Sequence, residues 1–247
     1  MKARLRSVLR ALDAVLRGDL RARDLVAPSA SVASSRVTRA LCERCGPVAT
    51  ILDVGANVGQ FALAATARFP NAVIHSFEPV PDVAATLRRN VKGVRAVTVH
   101  GIALGAQTGS LRFHRNDFTH LSSALVLDPE QRQLYGSRAI EEITVPVHRL
   151  DQLLPTLGVS APVLLKLDVQ GYEREVLAGA AGVLDRIPYV VLEVSFRPLY
   201  RGQPSFDALH TQLKEQGYRL DGPVGLQEGR NGEIVELDLL YRRRTDS

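Results

Sequence analysis

Apolar side chains at Leu5, Val8, Leu9, Leu12, Val15 and Leu16 recur every three or four residues. That spacing predicts a helix with one apolar side, and Arg6, Arg10 and Arg17 fall largely elsewhere on it. The small residues of "APSASVASS", 27–35, predict a loop after this helical cap. From about residue 48 the pattern changes to short apolar runs alternating with helical periodicity. "VATILDV" predicts a strand ending at Asp53, and "NVGQFALAATARF" a helix. "NAVIHSFEP" predicts the next strand, and "DVAATLRRNV" a helix with Asp82 as N-cap behind Pro81. "VRAVTVHGIAL" predicts a third strand. This alternation predicts an α/β fold, a mostly parallel sheet flanked by helices.

The rhythm breaks over about 106–150. "GSLRFHR" and "EITVPVHRL" alternate apolar and polar residues, as half-buried strands do, and the polar "NDFTHLSSALVL" lies between them. An insertion at about 106–145 carrying a hairpin or lid is the expectation. The alternation then resumes. "PVLLKLDVQG" and "IPYVVLEVS" predict strands, "YEREVLAGAAGVL" and "SFDALHTQLKEQG" helices, the latter closed by Gly217. "YRLDG" and "EIVELDLLYRR" predict two last strands, the second antiparallel at the end of the sheet. The expected organisation is a cap and loop over 1–35 and one main domain over 36–247.

Composition adds bounds. Of 247 residues, 45% are hydrophobic and 23% charged, which suits one substantial core. The net charge of +5 is concentrated in "MKARLRSVLR" and "YRRRTDS". Basic ends alone are weak support for nucleic acid or membrane, and a solvated helix face with a tail accounts for them. Aromatics are 5% and tryptophan is absent, which speaks against an RNA-binding surface of stacked bases. No apolar run approaches the ~20 residues of a membrane span, and no signal-peptide block is present. Cys42 and Cys45 form a lone C-x-x-C before the first strand, read as two thiols at a helix end. A reduced, cytoplasmic protein is expected.

In an open parallel sheet, ligands bind beyond the carboxyl ends of the strands. The first such loop runs Asp53-Val54-Gly55-Ala56-Asn57-Val58-Gly59. A dinucleotide fold wants G-x-G-x-x-G, and that spacing is absent. The match is to acidic-x-G-x-G-x-G with Asn57 at the middle glycine, and asparagine tolerates the left-handed backbone such a turn needs. Gly55 and Gly59 are expected to let ligand and helix approach the backbone. Asp53 would repel a phosphate and attract an ammonium or sulfonium, which favours S-adenosylmethionine over NAD or ATP. Glu78, 19 residues after Gly59 at the end of the second strand, suits a carboxylate accepting hydrogen bonds from a ribose.

With these motifs in order, the chain resembles the FkbM family of S-adenosylmethionine-dependent methyltransferases. The blocks are "ILDVGANVGQFAL", "HSFEPVP", "IALGAQTGSL", "LSSAL" and "LLKLDVQGYEREVLAGA", within about residues 48–195. The resemblance implies a seven-stranded class I methyltransferase fold, Rossmann-like, and methyl transfer to a hydroxyl of a sugar, polyketide or similar natural product. It places Asp53, Gly55, Asn57 and Gly59 along the methionine part of the cofactor and Glu78 at the ribose. Ile102 and Ala103 would lie by the adenine, with Ser122 and Ser123 of the insertion. Many members read D-x-E-G where this chain reads Asp168-Val169-Gln170-Gly171, which puts an acidic role at position 170 in doubt.

An alcohol is a poor nucleophile until its proton is leaving, so a general base or a divalent metal is expected. Asp168, at a strand end, is the first candidate for base or metal ligand. Lys166 lies two residues earlier on the same strand face and needs a partner, for which Asp168 and the neighbouring strand's Glu193 are candidates. Those three side chains are the candidate catalytic set; a purely structural network is the alternative. His114, His120 and His148 are weaker candidates. No close metal-ligand spacing appears, and no metal site is assigned. Tyr172 is read as packing at a helix N-terminus rather than as a pocket cap. The expected activity is O-methylation of a small hydroxylated acceptor, with no nucleic-acid partner, and with a homodimer through the N-terminal helix as an option. RNA methylation and a catalytically inactive cofactor-binding scaffold are the rivals.

Overall fold

The computed structural model describes residues 31–135, 137, 140–228 and 231–244. The helix expected over residues 5–16, and residues 27–30 of the expected loop, lie outside the described residues. The rest of that loop is not a loop. Ser31 accepts a hydrogen bond from Ser34 N at 3.1 Å and caps helix α1 (Val32–Cys45). The small residues that suggested a loop belong to its first turn, and the main body therefore begins at least four residues before position 36. Val37, Leu41 and Cys45 bury one side of α1 against Phe61, Ala62 and Ala65. Burial pushes the Cys45 thiol up to about 12, and Cys42 donates to Arg68 O, so both thiols sit at a helix end as expected.

The alternating segment forms β1 (Thr50–Val54), α2 (Gln60–Arg68), β2 (Val73–Phe77), α3 (Pro81–Asn90) and β3 (Val97–His100). Every residue of β1 is buried, as helices on both faces require. Helix α3 starts two residues earlier than Asp82 capping predicts: Val80 is the N-cap, Pro81 occupies the first turn with its fixed φ, and Asp82 instead pairs with Arg115 at 2.7 Å. The third apolar run is not one strand. After β3 the chain leaves the main sheet at Gly101, and β4 (Ala103–Leu104) pairs parallel with β6 (Ile140–His148) in a second sheet. The same β6 pairs antiparallel with β5 (Gly109–Asn116). With α4 (Pro129–Tyr135), these strands are the insertion, and its last strand extends to His148.

The main chain returns through α5 (Leu150–Leu153) to β7 (Val163–Leu167), α6 (Glu173–Ala180), β8 (Tyr189–Ser195), α7 (Phe206–Glu215), β9 (Tyr218–Glu228) and β10 (Ile234–Arg243). The seven-stranded sheet has the order β3-β2-β1-β7-β8-β10-β9. β1, β2, β3, β7 and β8 are parallel, while β10 runs antiparallel to both β8 and β9. β10 is thus antiparallel as expected, but it lies inside the sheet and β9 forms the edge. The strand order reverses between β1 and β7, which opens a crevice above their carboxyl ends. Among the described residues, no helix is long and apolar enough to cross a membrane.

Candidate active site

A cavity of about 370 Å³ occupies this crevice. Its walls come from the β1 loop, the ends of β2, β7 and β8, the segment around β4, and the insertion. Gly55, Asn57, Glu78, Ile102, Ala103, Ser122, Lys166, Asp168 and Glu193 all line it. Three of the residues expected to line it do not: Asp53, Gly59 and Ser123.

In the first loop, Asn57 adopts φ 48°, the left-handed turn its position predicts. Its backbone N donates to Glu78 Oε2 at 2.9 Å, while Val80 N donates to Glu78 Oε1 at 3.0 Å. The Glu78 carboxyl is buried but faces the cavity, and burial pushes it up to about 7 despite both bonds. Asn57 Oδ1 is buried and has no hydrogen-bond partner among the described residues. An acceptor left bare at a cavity wall suits a ligand that carries N–H or O–H donors.

The two glycines make room for neighbouring protein. A Cβ on Gly55 would lie 1.8 Å from Asp168 O, and one on Gly59 would lie 2.5 Å from Leu87 Cδ1. Gly55 thus admits the β7 end while also lining the cavity, and Gly59 admits helix α3. Asp53 is redirected. It is fully buried, and its carboxylate meets Lys166 Nζ at 3.4 Å and Ser76 Oγ at 3.2 Å. The parallel register places Asp53 directly beside Lys166 on β7, so the cation it attracts is a protein ammonium rather than a ligand's sulfonium.

Lys166 Nζ also donates to Asp168 Oδ2 at 3.1 Å. Its partners are thus Asp168 and Asp53, and Glu193 is not one of them. Burial pulls the ammonium down, but Asp168 and Asp53 outweigh it and leave it above its ordinary value. A lysine held charged in this way donates and does not accept a proton, which removes it as a base. Its Nζ also sits 5.3 Å from the centre of the Phe61 ring. Glu193 is joined to the group by Gln170, whose Nε2 donates to Asp168 Oδ1 and to Glu193 Oε2, each at 2.9 Å. Burial, then the charges of Asp168, Glu236 and Asp238, push the Glu193 carboxyl well up.

Several residues of this site have only weak sequence signals. Glu173 is buried, and its Oε1 accepts from Val169 N at 3.1 Å and Gly171 N at 3.2 Å, which clamps the loop after β7. Burial raises it to about 7. Glu236 and Gln227 line the cavity from the C-terminal hairpin, and Asp238 pairs with Glu193 across β10 and β8. Glu236 and Asp238, two acids at alternate positions of the apolar "IVELDLL", are the signal that points to this strand, and Gln227 has no such signal. His120 is the one candidate histidine in the cavity wall. Burial lowers its pKa, leaving a neutral imidazole near pH 7. Tyr172 begins α6 as its N-cap and lines the cavity as well, so it has both roles. Ser122 Oγ accepts from Asn116 N, whereas Ser123 is wholly buried and donates to Gln170 O at 2.7 Å. Among the described residues, no three His, Cys, Asp or Glu side chains are grouped to hold a metal ion.

Comparison with known proteins adds a family. The profile of the methyltransferase FkbM domain matches residues 53–220. The chain is similar to the 2-O-methyltransferase NoeI of Sinorhizobium fredii, with 30% identity over 183 residues that cover 71% of this chain and 74% of NoeI. It is 33% identical to the 31-O-demethyl-FK506 methyltransferase FkbM of Streptomyces tacrolimicus over 171 residues, 60% of this chain and 66% of that one. The fold is similar to that of magnesium protoporphyrin IX methyltransferase from Synechocystis PCC 6803 with bound SAM. That match has a TM-score of 0.51 at 13% identity and covers 86% of this chain and 78% of that one.

Proposed function

This chain belongs to the FkbM family of S-adenosylmethionine-dependent O-methyltransferases, and from that premise we propose how its cavity divides the work. The acceptor is a hydroxyl of a sugar or polyketide-type small molecule, a reading supported by relatives named as a 2-O-methyltransferase, a 31-O-demethyl-FK506 methyltransferase and a hexuronic acid methyltransferase. The observation that carries the cofactor assignment is the pairing of Glu78 with Asn57. A buried carboxylate held by two backbone N–H groups keeps lone pairs for a diol, and Asn57 Oδ1 beside it needs a donor. Among the described residues, Glu78, Asp168, Glu193 and Glu236 line the cavity beside Lys166; burial raises the Glu78 and Glu193 carboxyls, and a cationic cofactor would favour their ionised forms.

When bound, S-adenosylmethionine supplies a methyl group on a positive sulfur, already activated for transfer. The protein must then orient the acceptor oxygen, exclude water and take a proton. Ile102, Ala103 and Tyr172 give an apolar wall for the base, and Leu121 with its neighbours in the insertion covers the crevice. Asp168 takes the acceptor proton. Each of its oxygens accepts one hydrogen bond, from Gln170 and from Lys166, and so keeps a lone pair. Lys166 stays charged throughout and fixes the carboxylate. A second reading of the base rests on His120, a neutral imidazole in the same wall.

The experiment is methyl transfer from labelled S-adenosylmethionine to a panel of methyl hexosides, methyl hexuronosides and a polyketide macrolactone. Transfer to at least one hydroxyl is expected. Calorimetric binding of the cofactor without any transfer points to a scaffold, and transfer to RNA that weakens steeply with salt points to the nucleic-acid reading.

A further inference from the structure

We propose that Gln170 is a positioning residue for methyl transfer, its side-chain amide holding the Asp168 and Glu193 carboxylates in one frame around the acceptor. The proposal rests on the methyl-transfer reading above. An unprotonated carboxyl oxygen only accepts hydrogen bonds, so a donor placed between Asp168 Oδ1 and Glu193 Oε2 ties the two side chains together. The Gln170 amide nitrogen fills that place, 2.9 Å from each, and among the described residues no other side chain makes both bonds. The amide cannot turn over, because its oxygen accepts from Tyr200 OH at 3.0 Å, and Tyr200 is itself buried.

The backbone is held with equal care. Gln170 adopts φ 53°, a left-handed conformation disfavoured for any residue with a side chain of this kind, and Gly171 follows at φ 92°. Ser123 of the insertion donates to Gln170 O at 2.7 Å, while Glu173 holds the flanking N–H groups of Val169 and Gly171. A strained residue fixed by four separate elements marks a position where geometry matters. The charged and titratable groups around it are Asp53 on β1, Lys166 on β7 and Asp168 just after it, Glu173 on α6, Glu193 and Tyr200 from β8 and its loop, Glu236 and Asp238 on β10, and His120 in the insertion. Among these, Lys166 reaches Asp168 but not Glu193 within bonding distance. Gln170 is therefore what couples the two strand ends on the acceptor side.

Two variants separate positioning from general support. Gln170→Glu keeps the shape and the Tyr200 contact but puts a third carboxylate between the other two; Gln170→Met removes both donors without charge. With the best acceptor of the panel, both should lower kcat by roughly 30-fold or more, with KM and calorimetric affinity for S-adenosylmethionine within about 3-fold. The acid limb of kcat against pH should move up by about one unit in Gln170→Glu and stay in place in Gln170→Met. Without ligand, the thermal midpoint of Gln170→Glu should fall further below the wild type at about pH 8 than at about pH 6. Wild-type kcat in Gln170→Met, or an unmoved pH limb in Gln170→Glu, overturns the proposal. Loss of cofactor affinity in step with kcat overturns it too, since that is a structural role. If the wild type methylates nothing on the panel, the functional reading itself fails, and this inference with it.

Discussion

The Asp53 carboxylate lies 3.4 Å from the Lys166 ammonium, at neighbouring positions of the two strands that flank the switch point. The acid that begins the glycine-rich loop is therefore a structural partner of Lys166, the one lysine or arginine lining the cavity among the described residues, and stands behind the cavity wall.

Removing that cation leaves buried carboxylates uncompensated. Lys166→Met is expected to destabilise the protein by about 3–5 kcal/mol in urea unfolding. The double variant Asp53→Asn with Lys166→Met should recover most of that loss, because a neutral pair carries no stranded charge. A double variant no more stable than the single one contradicts the pairing.

The two loop glycines rank differently. Gly55→Ala meets a backbone oxygen at 1.8 Å and carries φ 79°, so the strand ends themselves must shift. Gly59→Ala meets the tip of the Leu87 side chain, which can rotate away. Gly59→Ala should cost about 1–3 kcal/mol, and Gly55→Ala clearly more, to the point of loss of soluble protein. Equal stabilities of the two variants would refute this ranking.

Glu78 gives a pH signature. Its carboxyl is raised to about 7 when folded, against an ordinary value of 4.5. The folded state thus binds the proton more tightly than the unfolded chain. Its stabilising share is complete below the unfolded value and is lost as pH rises through about 7. Glu78→Gln should therefore gain on the wild type by ~2 kcal/mol between about pH 5 and about pH 8 in the absence of ligand. Cofactor binding should also release a proton near neutral pH in the wild type, read from calorimetry in buffers of different ionisation enthalpy, and not in Glu78→Gln.

Much of this was legible in the order of residues. The change from helical to alternating periods located the parallel strands, and the spacing Gly55-Asn57-Gly59 with Glu78 pointed to the cavity. What failed depended on partners far along the chain. That Asp53 turns toward Lys166 follows from strand register, which pairs position 53 with position 166, and no local pattern carries that information. The break after His100 was hidden because Ala103 and Leu104 continue an apolar run while pairing with a strand more than forty residues away. Glu236 and Gln227 reach the cavity only because β10 inserts antiparallel beside β8. The loop expected over 27–35 misread the small residues at its end, 32–35, which a serine cap turns into a helix start.

The two candidate bases separate by magnitude. His120→Gln should change kcat less than about 10-fold and act mainly through KM, as a wall residue would. A loss of 100-fold or more in kcat with cofactor affinity retained moves the base from Asp168 to His120.

Whether Asp168 takes the acceptor proton is decided by methyl transfer to the panel acceptor with wild type and Asp168→Asn, measured beside calorimetric cofactor affinity. Wild type should add one methyl per acceptor hydroxyl. Asp168→Asn should lose about 100-fold or more in kcat, with affinity for S-adenosylmethionine within a few-fold. An Asp168→Asn enzyme that turns over at the wild-type rate would show that the base is another group.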